Sequence, residues 1–197
     1  MRILLKNALI LVAACAASTG ASAHIGHETT SLMSGLTHPL GLDHLLAMVA
    51  VGVWSVSALP ARQAWQGPAT FMAALVLSAV LGASGVTVPF LEHAIALSVV
   101  LFGLMLVVAA KPVPPAWGLG LIAAAASLHG LAHGAETPAT GFAGYAAGFL
   151  LTTAALHLGG VGLGLGLRRW LATRSTSVLG SLGTLLGFSG LYLLSQV

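Results

Sequence analysis

The chain has 197 residues, of which 57% are hydrophobic and only 6% charged, with seven basic and four acidic side chains. An ordinary soluble domain carries about 25% charged residues on its surface, so this composition excludes a soluble globular protein, a disordered chain and a nucleic-acid binder. The apolar runs are long and do not alternate, which excludes an outer-membrane barrel and leaves an all-α polytopic membrane protein in a lipid bilayer.

Residues 1–23 read as a secretory signal peptide. Arg2 and Lys6 precede an apolar run from Ala8 to Ala17, and a small-residue stretch ends at Ala23. A retained first helix, or lipid attachment at Cys15, are the competing readings. Residues 24–38 follow as a short tail carrying His24, His27 and Glu28.

Residues 39–197 divide at the prolines into six apolar spans: 39–58, 68–86, 90–110, 116–134, 140–167 and 177–195. Most hold about 20 residues, the length that crosses a ~30 Å hydrocarbon layer. The fifth is longer, and its glycines from Gly159 to Gly166 offer a place for a break. With the mature N-terminus in the periplasm, Arg62, Lys111, Arg168, Arg169 and Arg174 all fall on the cytoplasmic side of an inner membrane, as the positive-inside rule requires. Trp65, Trp117 and Trp170 fall at the same interface. Glycines at four-residue spacing, such as Gly144 and Gly148, suit close helix packing. Three spans followed by three more also suit an inverted repeat in which spans one and four correspond.

The acids and histidines collect at the opposite, outer side. His38, Asp43 and His44 open span one; Glu92 and His93 open span three; His129 and His133 end span four, with Glu136 just beyond. His157 alone lies deeper, in span five. Ionisable groups in a span are costly and commonly mark a pathway. Each has a plainer reading too: Glu92 complements a helix dipole, His38 caps a helix, and His157 bonds a carbonyl near Thr153. His129 and His133, at i and i+4, share one helical face and can reach one metal ion. Imidazole and carboxylate donors suit Ni²⁺, Co²⁺, Zn²⁺, Mn²⁺ or Fe²⁺, and a cut after Ala23 would leave no cysteine for softer metals.

The stretch His38-Pro39-Leu40-Gly41-Leu42-Asp43-His44 resembles the first signature of the HupE/UreJ family, and Leu128-His129-Gly130-Leu131-Ala132-His133-Gly134-Ala135-Glu136 resembles the second. The start Ala23-His24-Ile25-Gly26-His27-Glu28 is similar to that of many mature members. The resemblance implies a hydrogenase- or urease-accessory permease for nickel, with cobalt next. It implies that His38, Asp43, His44, His129 and Glu136 are functional, together with Glu92 as the acidic residue of span three. His133, His93 and His157 are further candidates on the residues alone. Four residues separate His38 from Asp43 where the family pattern has five; on a continuous helix this turns His38 by about 100°. His24, His27 and Glu28 would capture the ion before it enters. The metal is then cargo, with no permanent cofactor and no enzymatic step expected. An intramembrane metal hydrolase and a metal-holding accessory or storage subunit are the alternatives. A homo-oligomer and a cytoplasmic metallochaperone are compatible partners.

Overall fold

The structure, a computed structural model, describes residues 31–137 and 140–197. The expected signal peptide and the tail residues His24, His27 and Glu28 lie outside them. The described residues form seven α-helices and no strand: α1 (Ser31–Thr37), α2 (Leu42–Ala58), α3 (Gln66–Ala83), α4 (Leu91–Val108), α5 (Pro115–Ala135), α6 (Phe142–Trp170) and α7 (Ser175–Leu194). Short 3₁₀ turns occupy His38–Leu40, Ala61–Gln63 and Ala172–Arg174. Five helices are long and apolar enough to cross a membrane. The pair Leu32–Leu40 and Leu42–Ala58, bent by 73°, makes a sixth crossing if counted as one broken span. The protein is a multi-pass membrane protein.

Local chemistry sets the helix ends. Pro115 begins α5, where its missing N–H costs nothing. Gly141 precedes α6 with a φ of 72°, a conformation glycine adopts without strain. The glycines between Gly159 and Gly166 do not break α6, which runs unbroken for 29 residues. The break falls in the first span instead, at the 3₁₀ turn and Gly41. Residues 31–37, placed by sequence in the tail, are a helix packed on α6. Gly35 lies so close to α6 that a Cβ there would strike the Tyr145 carbonyl, and Thr152 Oγ1 donates to the Leu36 carbonyl at 2.9 Å.

Small residues let the long helices approach backbone to backbone, the packing available where lipid removes the hydrophobic drive between helices. Gly52 of α2 faces His157 and Gly160 of α6; Gly130 and Gly134 of α5 face Leu75 and Ala79 of α3; Gly103 of α4 faces Gly183 and Gly187 of α7. These registers make α2 parallel to α6, α3 parallel to α5, and α4 antiparallel to α7. They are also the three most extensive helix pairings, ahead of that of α1 with α6. Exchanging spans one and four, two and five, and three and six maps this set of pairings onto itself, the pattern an inverted repeat produces. Arg168 Nη1, at the end of α6, donates to the Val56 carbonyl at the end of α2 at 3.0 Å, which ties a basic end of the bundle together. The core gathers Met48, Val51, Trp54, Phe71, Leu75, Val99, Phe102 and Ile122. Large apolar side chains such as Leu77, Leu104, Leu151 and Phe188 face outward, where lipid rather than water solvates them.

Candidate metal centre

α2 and α5 bring the two motifs together at the end of the bundle opposite the basic one. From Glu136, which caps the end of α5, through His133 to His129 the side chains descend one face in steps of three and four residues, about 4.5 and 6 Å at 1.5 Å per residue. Across from them, the broken start of α2 presents His38, Asp43 and His44. His38, His44 and His133 each offer a ligand atom, and these atoms lie within 4.8 Å of one another.

His133 is the hub. Its Nδ1 lies 3.1 Å from His38 Nε2, and its Nε2 meets His44 Nε2 at hydrogen-bonding distance. Glu136 Oε2 stands 3.9 Å from His133 Nδ1 and 4.0 Å from His38 Nε2. The two nitrogens of one ring thus face two different sets of donors: His38 and Glu136 on one side, His44 on the other. For metal–nitrogen bonds of ~2.1 Å, cis ligand nitrogens sit about 3 Å apart, close to the 3.1 Å between His133 Nδ1 and His38 Nε2.

Asp43 Oδ1 lies 2.7 Å from His44 Nδ1. A carboxylate behind one ring nitrogen orients the ring and commits the other nitrogen to a metal, here Nε2 toward His133. The contact is close but poorly aligned, so His44 Nδ1 is one of four buried side-chain atoms without a hydrogen-bond partner among the described residues. His129 Nδ1, Thr153 Oγ1 and His157 Nε2 are the others. An unpaired buried polar atom costs roughly 1–3 kcal/mol, and such atoms call for a role.

His129 is fully buried one step deeper. Its ring packs edge-on against His44, with centroids 4.9 Å apart, and its Nε2 lies 2.9 Å from Ser98 Oγ of α4. Ser98, unmarked in the sequence, is therefore part of the site; only its level on α4 opposite His129 reveals it. His157 lies apart from the cluster: its Nδ1 bonds the Thr153 carbonyl at 2.8 Å, as the plainer reading of that residue expects.

Glu92 and His93 are exposed at the start of α4, and His93 packs edge-on against Phe90 at 5.7 Å. The structure does not bring either into the histidine cluster. Burial and then the Glu92 carboxylate raise the Glu136 carboxyl above its ordinary range. His38, in contrast, is not turned away. The 3₁₀ turn and the bend at Gly41 take the place of a continuous helix, and they return the ring to the cluster. Beside His133, between α3 and α6, lies a cavity of about 240 Å³ with walls such as Leu75, Ala79, Tyr145 and Phe149. Most of its wall is apolar, with His133, Thr137 and Tyr145 as its polar members.

The model of the family described as HupE / UreJ protein matches residues 12–193. The chain belongs to the HupE/UreJ family. It is also similar to "Protein HupE" of Rhizobium leguminosarum bv. viciae, with 41% identity over 154 residues, covering 77% of this chain and 80% of that protein. No solved structure matches. Membership agrees with the two motifs, and the geometry adds that the HupE/UreJ signatures meet through His133, a residue outside the positions they carry over.

Proposed function

We propose that the protein is an inner-membrane permease that takes up a divalent transition metal from the periplasm to the cytoplasm for metalloenzyme maturation, nickel first and cobalt next. The observation that carries this reading is the stack of imidazoles from His38 through His133 and His44 to His129, flanked by Glu136 and Asp43. Its steps suit an ion that exchanges hydration for nitrogen and oxygen ligands one at a time, held firmly enough to enter and loosely enough to leave. The tail residues His24, His27 and Glu28 would collect the ion, after removal of residues 1–23, and Glu92 would add attractive charge at the mouth. An inward-negative potential favours the inward direction by about 2.3 kcal/mol per charge per 100 mV. The protein would act without catalysing a reaction.

The test is uptake of radioactive nickel and cobalt by proteoliposomes holding only this protein. Wild type takes up the ion, and the His44→Ala, His129→Ala double variant does not; equal uptake by both sinks the route. A metal-holding accessory subunit is the second reading, favoured by the apolar floor of Phe71 and Phe102 beneath the cluster, with ring centroids 6.5 Å apart. Binding without uptake would establish it.

A further inference from the structure

We propose a metal-binding relay that leads from the histidine cluster toward the basic end of the bundle: His129 Nδ1 and His157 Nε2, with Thr153 Oγ1 beside them, pass a borderline divalent cation onward, and Ser98 holds His129 in the tautomer that can bind it. The inference rests on the transport reading above.

Hydrogen bonds decide which ring nitrogen is bare. Ser98 Oγ donates to the Ile95 carbonyl at 2.6 Å. A hydroxyl has one proton, so in the 2.9 Å contact between Ser98 Oγ and His129 Nε2 the ring nitrogen is the donor. His129 Nδ1 then carries the lone pair, and it has no hydrogen-bond partner among the described residues. His157 repeats the arrangement from another helix. Its Nδ1 donates to the Thr153 carbonyl at 2.8 Å, and its Nε2 is left bare. A ligating histidine is commonly held in this way, its other nitrogen donating to an oxygen that orients the ring. The Thr153 hydroxyl oxygen also has no partner among the described residues. None of the three residues is more than 1% exposed.

Helix contacts bring these atoms to one region. Gly160 of α6 lies against Val49 of α2, and Gly52 against the stretch from His157 to Val161. Thr153 is thereby level with His44, and His157 stands about one turn nearer the basic end. Phe149, Thr153 and His157 follow one another at four-residue steps on one face of α6. Phe149 packs on His38 and His133 at one end of that face, with ring centroids 5.8 and 4.7 Å away. His157 packs on Phe71 at the other, at 4.8 Å, and the same Phe71 ring lies 5.8 Å from His129. α5 ends at the cluster and α6 at the basic end. Side chains tilt toward the start of their own helix, so His129 leans toward the basic end and His157 away from it. Two neutral imidazole nitrogens and a hydroxyl oxygen suit nickel, cobalt or zinc over magnesium or calcium. Without a carboxylate they hold the ion loosely enough to pass it on.

The experiment uses the full-length protein in lipid nanodiscs, isotope-labelled at the histidine nitrogens for magnetic resonance, with zinc as a diamagnetic probe. Before zinc is added, His129 is expected to carry its proton on Nε2 and His157 on Nδ1. Zinc is expected to shift the His129 Nδ1 and His157 Nε2 resonances. Ser98→Ala is expected to let the His129 proton divide between its two nitrogens, which loss of packing alone would not do. In proteoliposomes, His157→Phe keeps a ring against Phe71 and removes both nitrogens. It is expected to slow nickel-isotope entry about tenfold, while nickel binding at the cluster, measured by equilibrium dialysis, persists. A proton on His129 Nδ1 in the wild type, zinc that leaves both nitrogens unshifted, or entry by His157→Phe within twofold of wild type each overturns the proposal. If His157→Phe does not fold, the zinc titration of the wild type still decides. Wild-type vesicles that bind nickel and never admit it would refute the transport reading itself, a result separate from unshifted nitrogens in an active wild type.

Discussion

His133 Nδ1 and His38 Nε2 lie 3.1 Å apart although 95 positions separate the residues in the chain. One belongs to the regular helix α5, the other to a 3₁₀ turn at a 73° bend. The bend is what lets a histidine at the mouth of the first span reach the face of the fourth.

Loss of the hub should therefore cost more than loss of either flank. His133→Ala is expected to weaken nickel binding by at least tenfold, about 1.4 kcal/mol, and by more than His93→Ala, whose ring stands outside the cluster. Titration calorimetry of the detergent-solubilised protein measures both. Equal affinities for the two variants would remove His133 from the site.

The bend itself can be tested at Gly41. A Cβ there would stand 3.1 Å from Asp43 Oδ1 and 3.8 Å from His44 Nδ1. Gly41→Ala should push the carboxylate off His44 and lower metal affinity severalfold, with the thermal midpoint nearly unchanged. Outer-shell partners of a ligating histidine are commonly worth 10–100-fold in affinity, so a partial displacement should be measurable in the same titration.

Glycines at the helix contacts should differ sharply from those facing lipid. A Cβ at Gly134 would strike the Ala79 carbonyl, and one at Gly52 the His157 carbonyl, whereas Gly159 and Gly162 have open space. Gly134→Val and Gly52→Val are expected to destabilise by about 1–3 kcal/mol or more through overpacking, and Gly159→Ala and Gly162→Ala to leave stability unchanged. Membrane abundance and thermal unfolding report the difference.

Glu136 links the site to stability. Its carboxyl is held above the ordinary range, by burial first and the Glu92 charge second. A raised carboxyl favours the folded state while protonated, and that contribution fades as pH rises through the folded pKa. Glu136→Gln, always neutral, should raise the thermal midpoint at pH 7 and have less effect at pH 4. The same variant should bind nickel more weakly. A stabilisation that is larger at pH 4 would contradict the sign of this effect.

Arg168 should matter at the other end. Removing its bond to the Val56 carbonyl in Arg168→Ala is expected to cost about 1 kcal/mol, seen as a fall of a few degrees in the thermal midpoint with metal binding unaltered.

The scarcity of charge, the proline spacing and the sorting of basic from acidic residues were enough to specify a helical membrane protein, the limits of its last five long helices to within a few residues, and the end of the bundle where His38, His44, His129 and His133 gather. Those features are local: a helix boundary follows from proline and apolar length, and the cost of charge in lipid acts residue by residue. Which nitrogen meets which could not follow from local rules. The break in the first span rather than the fifth, the central place of His133, the exclusion of Glu92 from the cluster, and the arrival of Ser98 and Phe71 beside His129 all depend on how α2, α3, α4 and α5 pack. That packing is set by backbone contacts at Gly52, Gly130 and Gly134, where the missing side chains carry no chemistry of their own and act only when two helices meet.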